Sequence, residues 1–173
     1  EVPFLRPSEL SRDDSPEWQA WQHLAGELVA GGARQSDLLV SIPPTSPLRT
    51  PGDIDDAIKS FRNGNFDLVL AVTESTRSPW FNIVTRDTSG RIELAAPGNS
   101  NRIDRRQDSP AVFDITTVVY VTTLGFVAGA SRMFEGTVGS IMVPPERAID
   151  IDTELDLEIA DWLASRRLGL QGD

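Results

Sequence analysis

Three groups of residues in this sequence have the types and spacing that chemistry needs. The first is Thr45, Ser46 and Arg49, within the stretch Pro43-Pro44-Thr45-Ser46-Pro47-Leu48-Arg49-Thr50-Pro51-Gly52-Asp53. Prolines at 43, 44 and 47 fix this loop at little entropic cost, so its polar side chains are held before a ligand arrives. Taken alone, the stretch serves equally as a proline-rich connector that turns the chain. The second group is Asp150 and Asp152, in Ile149-Asp150-Ile151-Asp152-Thr153-Glu154-Leu155-Asp156. On an extended segment residues two apart point the same way, so these present paired carboxylates, the donors a hard cation takes together with substrate phosphates. The competing assignment is a helix start, with Asp152 or Thr153 as cap and Asp156 closing a box, which leaves Asp150 without a purpose. The third group is Arg105-Arg106-Gln107-Asp108, in a polar stretch over residues 97–110. Guanidinium forks suit phosphates and carboxylates, although two adjacent arginines in a loop are also an ordinary solvated surface.

The elements that must position these groups are legible in outline. Asp37 to Ile42 is a short apolar run typical of a buried strand. Thr50-Pro51-Gly52-Asp53 is a helix start, with a threonine cap, proline at N1 and an acid at N3. Ile54, Ile58 and Phe61 then recur at helical spacing and lay one face on a sheet. The proline-rich loop therefore joins a strand to a helix, and ligands in α/β folds bind outside the carboxyl ends of strands. Upstream, a helix runs from Pro16 with Trp18, Trp21, Leu24 and Leu28 on one stripe, and Gly31-Gly32 ends it. Downstream, Asp67 to Thr73 is a second buried strand, ending at the polar segment Glu74 to Trp80. Phe81–Thr85 and Arg91–Leu94 form a hairpin, and Val112 to Thr122 is a strongly β-forming strand. A short helix over 124–134, a strand over 139–143 and an amphipathic helix marked by Leu155, Ile159 and Trp162 complete the pattern.

Composition bounds the function. A chain of 173 residues with 39% hydrophobic and 24% charged residues is an ordinary globular domain long enough to bury a core. No stretch resembles a membrane span or a signal peptide, so a cytoplasmic location is the default. The formal net charge of −10 argues against a nucleic-acid surface, so any anion must be held by a local arginine cluster. There is no cysteine and one histidine, His23, which leaves Ser-His-Asp or Cys-His catalysis little to draw on.

Pro44-Thr45-Ser46-Pro47-Leu48-Arg49 resembles the PTSPLR motif of the acylneuraminate cytidylyltransferases, the CMP-sialic acid synthetase family. Further matches follow in the family's order: Arg6-Pro7-Ser8-Glu9-Leu10 is similar to its RPxEL segment, Arg105 to Asp108 to its RRQD-like segment, and Ile149 to Asp156 to its DIDxxxD motif. The resemblance covers the chain from Arg6 to Trp162. It implies an α/β, Rossmann-like nucleotide-diphospho-sugar transferase fold with a mostly parallel central sheet flanked by helices. One domain spans 1–173, with a β extension near 81–115 that would serve a homodimer. It implies CMP transfer from CTP to the anomeric hydroxyl of an acidic nine-carbon sugar, a nonulosonic acid, with release of pyrophosphate. Arg6, Ser15, Thr45 and Ser46 would meet the nucleotide, and Arg49, Arg105, Arg106 and Gln107 the substrates. Asp150, Asp152 and Arg106 would be catalytic, with Mg2+ or Mn2+ on Asp150 and Asp152.

The sequence departs from the family where Thr116-Thr117 replaces a common Asn-Gly, and where Pro43 stands in place of a glutamine before the motif. Both positions lie near the sugar in the family, so acceptor identity is open. A catalytically inactive homologue that binds a nucleotide or acidic sugar is the alternative these departures favour. A third possibility is an interaction protein with surface arginines and helix-capping aspartates. The family also opens with a strand and a Gly/Arg/Lys-rich loop that cradles the triphosphate, upstream of RPxEL. This chain, which starts Glu1-Val2-Pro3-Phe4, has no counterpart, so these residues alone are expected to be inactive and to be most of a larger protein.

Overall fold

The computed structural model describes residues 4–12, 14–96 and 109–169. In chain order its elements are α1 (Glu17–Ala30), β1 (Leu38–Ser41), α2 (Pro51–Asn63), β2 (Leu68–Glu74), β3 (Val84–Arg86), β4 (Ile92–Leu94), β5 (Phe113–Thr123), α3 (Leu124–Gly129), β6 (Val138–Met142) and α4 (Glu154–Arg167). Four strands form one sheet in the order β1-β5-β2-β6, and β3 and β4 pair separately as a hairpin.

Helices on both faces make this an α/β structure, but the sheet is mixed rather than mostly parallel. Strands β1, β2 and β6 share a direction, yet β5 lies antiparallel between β1 and β2, so only the β2–β6 pairing is parallel. The cause is the connection. Among the described residues no crossover helix separates β2 from β5; the chain leaves β2 at Glu74, makes the β3–β4 hairpin, and returns beside β2, with Ser75 N–H donating to Val112 O at 3.1 Å. Parallel pairing needs a crossover, and a chain that simply doubles back pairs antiparallel.

Alternation along β2 divides the core. Leu68, Leu70 and Val72 face one cluster with Trp21, Leu39, Tyr120, Leu124 and Val127, which α1 and α3 cover. The expected α1 stripe of Trp18, Trp21, Leu24 and Leu28 is all in or against this cluster. Val69 and Ala71 face the other, with Val119, Val121 and Val143, and there Ile54, Ile58 and Phe61 of α2 pack as expected. Strand β5 breaks its alternation once. Leu70 pairs with Tyr120 and Ala71 with Thr116, so Thr117, Val118 and Val119 arch out of the β2 ladder. This bulge puts Val118 and Val119 into the same cluster and aims Thr117 away from the regular pleat.

One helix differs from its sequence pattern. Leu155, Ile159 and Trp162 mark an amphipathic stripe on α4, yet all three are exposed, and Ala160 is the buried residue of that helix. Trp162 instead lies under the Arg166 guanidinium, 4.8 Å from the ring centroid. No helix among the described residues is long and apolar enough to cross a membrane.

Candidate functional site

The loop after β1 is held by the bulge of β5. Ser46 is fully buried, its hydroxyl 2.6 Å from Thr117 Oγ1, and Thr45 Oγ1 donates to the same atom at 3.4 Å. Arg49 Nη2 donates to the Pro43 carbonyl and, at 3.4 Å, to the Thr117 carbonyl. Thr117 reaches three loop residues because it sits on the arch, where no strand partner claims it. Arg49 Nε is buried and has no acceptor among the described residues. Burial also pulls the Arg49 guanidinium below its usual pKa. An unmet buried donor is costly, and an anionic ligand oxygen would relieve it.

The loop then runs into α2 through a capping box. Thr50 caps the helix, its hydroxyl accepting from the Asp53 amide, and Asp53 Oδ2 accepts from the Thr50 amide at 2.7 Å. Asp53, only 4% exposed, also receives Arg147 in a fork, with Nη2 to Oδ1 at 2.8 Å and Nε to Oδ2 at 3.1 Å. Burial would raise the Asp53 pKa, but the Arg147 fork and the Thr50 amide and hydroxyl outweigh it and hold the carboxyl below its ordinary value. A lowered folded-state pKa contributes stability that is complete above the unfolded value of about 4 and is lost as pH falls through the folded value. Urea midpoints of Asp53→Asn should therefore lie below wild type at pH 7, with the gap closing as pH falls through the folded-state value.

The carboxylate pair sits against this loop. Ile151 N–H donates to the Thr45 carbonyl at 2.9 Å, docking Asp150-Ile151-Asp152 on the motif from more than a hundred residues away in sequence. The competing capping assignment is accounted for without either acid. Thr153 caps α4 and Asp156 completes the box, its Oδ2 taking the Thr153 amide at 2.8 Å and hydroxyl at 2.7 Å. Asp152 is exposed, and Asp150 Oδ1 is buried with no hydrogen-bond partner among the described residues.

Charges around Asp150 show what else is near. Burial pushes the Tyr120 phenol up to about 12, and the negative charges of Glu17 and Asp150 push the same way. Partial burial raises the Glu17 carboxyl, opposed by a hydrogen bond with Trp21 and the Arg6 charge and reinforced by Asp150. Arg6 also lines, with Trp21, Leu39 and Ser41, a cavity of about 260 Å³ beside β1. The Thr45–Arg49 loop and the Asp150-Ile151-Asp152 segment thus meet just beyond β1, and Arg6 lies beside that strand. Ser15 closes a local turn, donating to the Glu9 carbonyl at 3.0 Å and accepting from the Arg12 amide at 3.1 Å. Arg105, Arg106 and Gln107 lie outside the described residues.

These donors fit magnesium in part. Two carboxylates, one with an unmet buried oxygen, match an ion that takes one or two carboxylates and completes its shell with water and phosphate. Among the described residues no group of three or more histidine, cysteine, aspartate or glutamate side chains would hold a metal unaided. Sequence reasoning missed Glu17, Tyr120 and the Asp53–Arg147 pair. Glu17 reads as a first-turn acid and Tyr120 as a core strand residue, and only folding brings both within electrostatic reach of Asp150.

No family model matches the chain. It is similar to "Post-translational flagellin modification protein B" of Campylobacter coli, 26% identical over 133 residues, 77% of this chain and 55% of that protein. It is also similar to "N-acylneuraminate cytidylyltransferase B" of Danio rerio, 25% identical over 126 residues, 72% of this chain and 29% of the relative. A third is "CMP-N,N'-diacetyllegionaminic acid synthase" of Campylobacter jejuni, 29% identical over 97 residues, 56% of this chain and 40% of the relative. The chain spans about half the length of these curated relatives or less.

Proposed function

We propose, for a chain related at modest identity to the cytidylyltransferases, that it carries much of the site at which CMP passes from CTP to a nonulosonic acid. The observation that carries this reading is the docking of Asp150-Ile151-Asp152 on the Thr45–Arg49 loop through the Ile151–Thr45 bond, with an unmet carboxylate oxygen on one side and an unmet guanidinium N–H on the other. Opposite charges held open in one place suit a ligand that has phosphates and arrives with a cation. In the reaction the anomeric oxygen of the sugar bonds to the α-phosphorus of CTP. The bond from that phosphorus to the bridging oxygen breaks, pyrophosphate leaves with its electron pair, and the hydroxyl proton passes to solvent or base.

Residues of the chain would do the positioning. Arg49 Nε would take a phosphate or carboxylate oxygen, Thr117 would keep the loop in shape, and Arg6 would add positive charge at the nucleotide side. Arg105, Arg106 and Gln107 are further candidates for the substrates. Asp150 and Asp152 would hold Mg2+ or Mn2+, which when bound supplies neutralisation of the charge that develops on the triphosphate. The partners would be CTP and an acidic nine-carbon sugar, in a cytoplasmic homodimer. Ile83, Val84, Ile92 and Leu94 at the hairpin, and Phe113 and Ile115 on β5, are exposed apolar residues that suit the dimer.

The test is pyrophosphate release by the intact gene product with CTP, Mg2+ and a panel of nonulosonic acids. Release with at least one sugar and none without sugar is the expected result. Magnesium-dependent CTP binding with no pyrophosphate release in the presence of any sugar would replace it with the second reading, a binding homologue. Thr116-Thr117, at a position near the sugar in the family, favours that alternative.

A further inference from the structure

We infer that Asp53 and Arg147 are positioning residues: their fork clips the segment bearing Asp150 to the loop bearing Thr45, Ser46 and Arg49. The inference rests on the proposed site and adds to it two residues that touch neither substrate nor cation.

The fork is more than a helix cap. Helix α4 starts with the same box, Thr153 and Asp156, in which the acid takes the backbone amide and the threonine hydroxyl and needs no arginine. At α2 the equivalent acid is buried, and it makes the same two bonds while also receiving the Nε–Nη2 edge of a guanidinium from 94 residues away. Capping leaves that extra interaction unexplained.

Its place explains it. Arg147 ends a short 3-10 turn, Pro145–Arg147, three residues before Asp150. The two segments run past each other in opposite directions, tied at one end by Ile151 N–H to the Thr45 carbonyl and at the other by Arg147 to Asp53. Pro47 and Pro51 stiffen the loop segment, and Pro144 and Pro145 fix the approach to the other just before its tie at Arg147. One hydrogen bond between stiff segments leaves them free to pivot, and a second tie at the far end removes the pivot. A planar bidentate fork also fixes angle as well as distance, which an ammonium cannot do. The Asp150 carboxylate, between the ties, inherits that orientation.

The experiment uses the intact gene product with Arg147→Lys, Arg147→Met and Asp150→Asn, and reads two quantities. The first is amide hydrogen exchange at Ile151, with Val121 in the core as reference. The clip requires exchange at Ile151 to rise about tenfold in Arg147→Met and less in Arg147→Lys, with Val121 unchanged. The second is turnover with CTP and sugar, where kcat should fall about tenfold while KM for CTP moves less than about twofold. Unchanged exchange at Ile151, or an equal rise at Ile151 and Val121, overturns the clip. So does unchanged kcat in the Arg147 variants when Asp150→Asn is inactive. Should Arg147→Met fail to fold, Arg147→Lys is read by the same criteria. If Asp150→Asn turns over like wild type, the reading of the site is what fails, and the clip is still judged by Ile151 exchange.

Discussion

Replacing Asp150 by asparagine is expected to lower pyrophosphate release by at least about a hundredfold, the range seen when one preorganised charge-stabilising group is removed, while leaving the fold intact. The two halves of this prediction come from one atom. Asp150 Oδ1 is buried and makes no hydrogen bond to any described residue, so the substitution breaks no bond there that holds the protein together. The charge it removes opposes others: it raises both the Tyr120 phenol and the Glu17 carboxyl. Taking that charge away relieves repulsion, so thermal stability should stay level or rise slightly. A structural aspartate behaves in the opposite way, losing stability and keeping turnover in whatever fraction folds. A coupled pyrophosphate assay and a thermal melt on the same sample separate the two. Wild-type turnover with a lowered melting temperature would sink the assignment.

Much of this site was legible because its parts are local. Thr50, Pro51 and Asp53 announce the start of α2 within four residues, and the capping box is there. The Thr45–Arg49 loop follows an apolar run, so its place at the end of a strand could be read without knowing the partner strand. At Asp150 and Asp152 the residues alone leave metal ligation and helix capping as alternatives. Geometry narrowed the choice by giving the cap to Thr153 and Asp156. What was not legible is everything that depends on distant pairing. Thr117 becomes the anchor of the loop only because three residues arch out of β5, and a bulge leaves no mark in a run of β-formers such as Ile115 to Val121. The fork between Asp53 and Arg147 joins residues 94 apart, and Arg147 in sequence is one charged residue in a turn. The direction of β5 was missed for a similar reason. The family resemblance implied a mostly parallel sheet, while the segment between β2 and β5 contains no described helix to carry a crossover.

The contrast between two leucines turns that lesson into the largest expected loss of stability. Leu68 and Leu155 both sit in apolar patterns, one in a strand and one on a helix stripe. Leu68 is 0% exposed and packs with Trp21, Tyr120, Leu124 and Val127, whereas Leu155 is 63% exposed. Leu68→Ala should cost about 3–4 kcal/mol, from lost burial plus the cavity left behind. The low end of the usual range does not apply because the walls resist collapse. Leu68 starts β2, which is paired on both edges, opposite Thr122 and Val138. The two large aromatic side chains of the cluster also lock each other, Trp21 and Tyr120 meeting edge-on at 5.3 Å. Leu155→Ala, made in the same background, should change stability by less than about 0.5 kcal/mol. Urea titrations report both through the midpoint at constant slope. A small loss at Leu68 would mean that the core around Trp21 is looser than the sheet pairing implies. A large loss at Leu155 would mean that the exposed stripe of α4 is covered in solution, by a second copy or by another part of the protein, so that the helix pattern was right about burial after all.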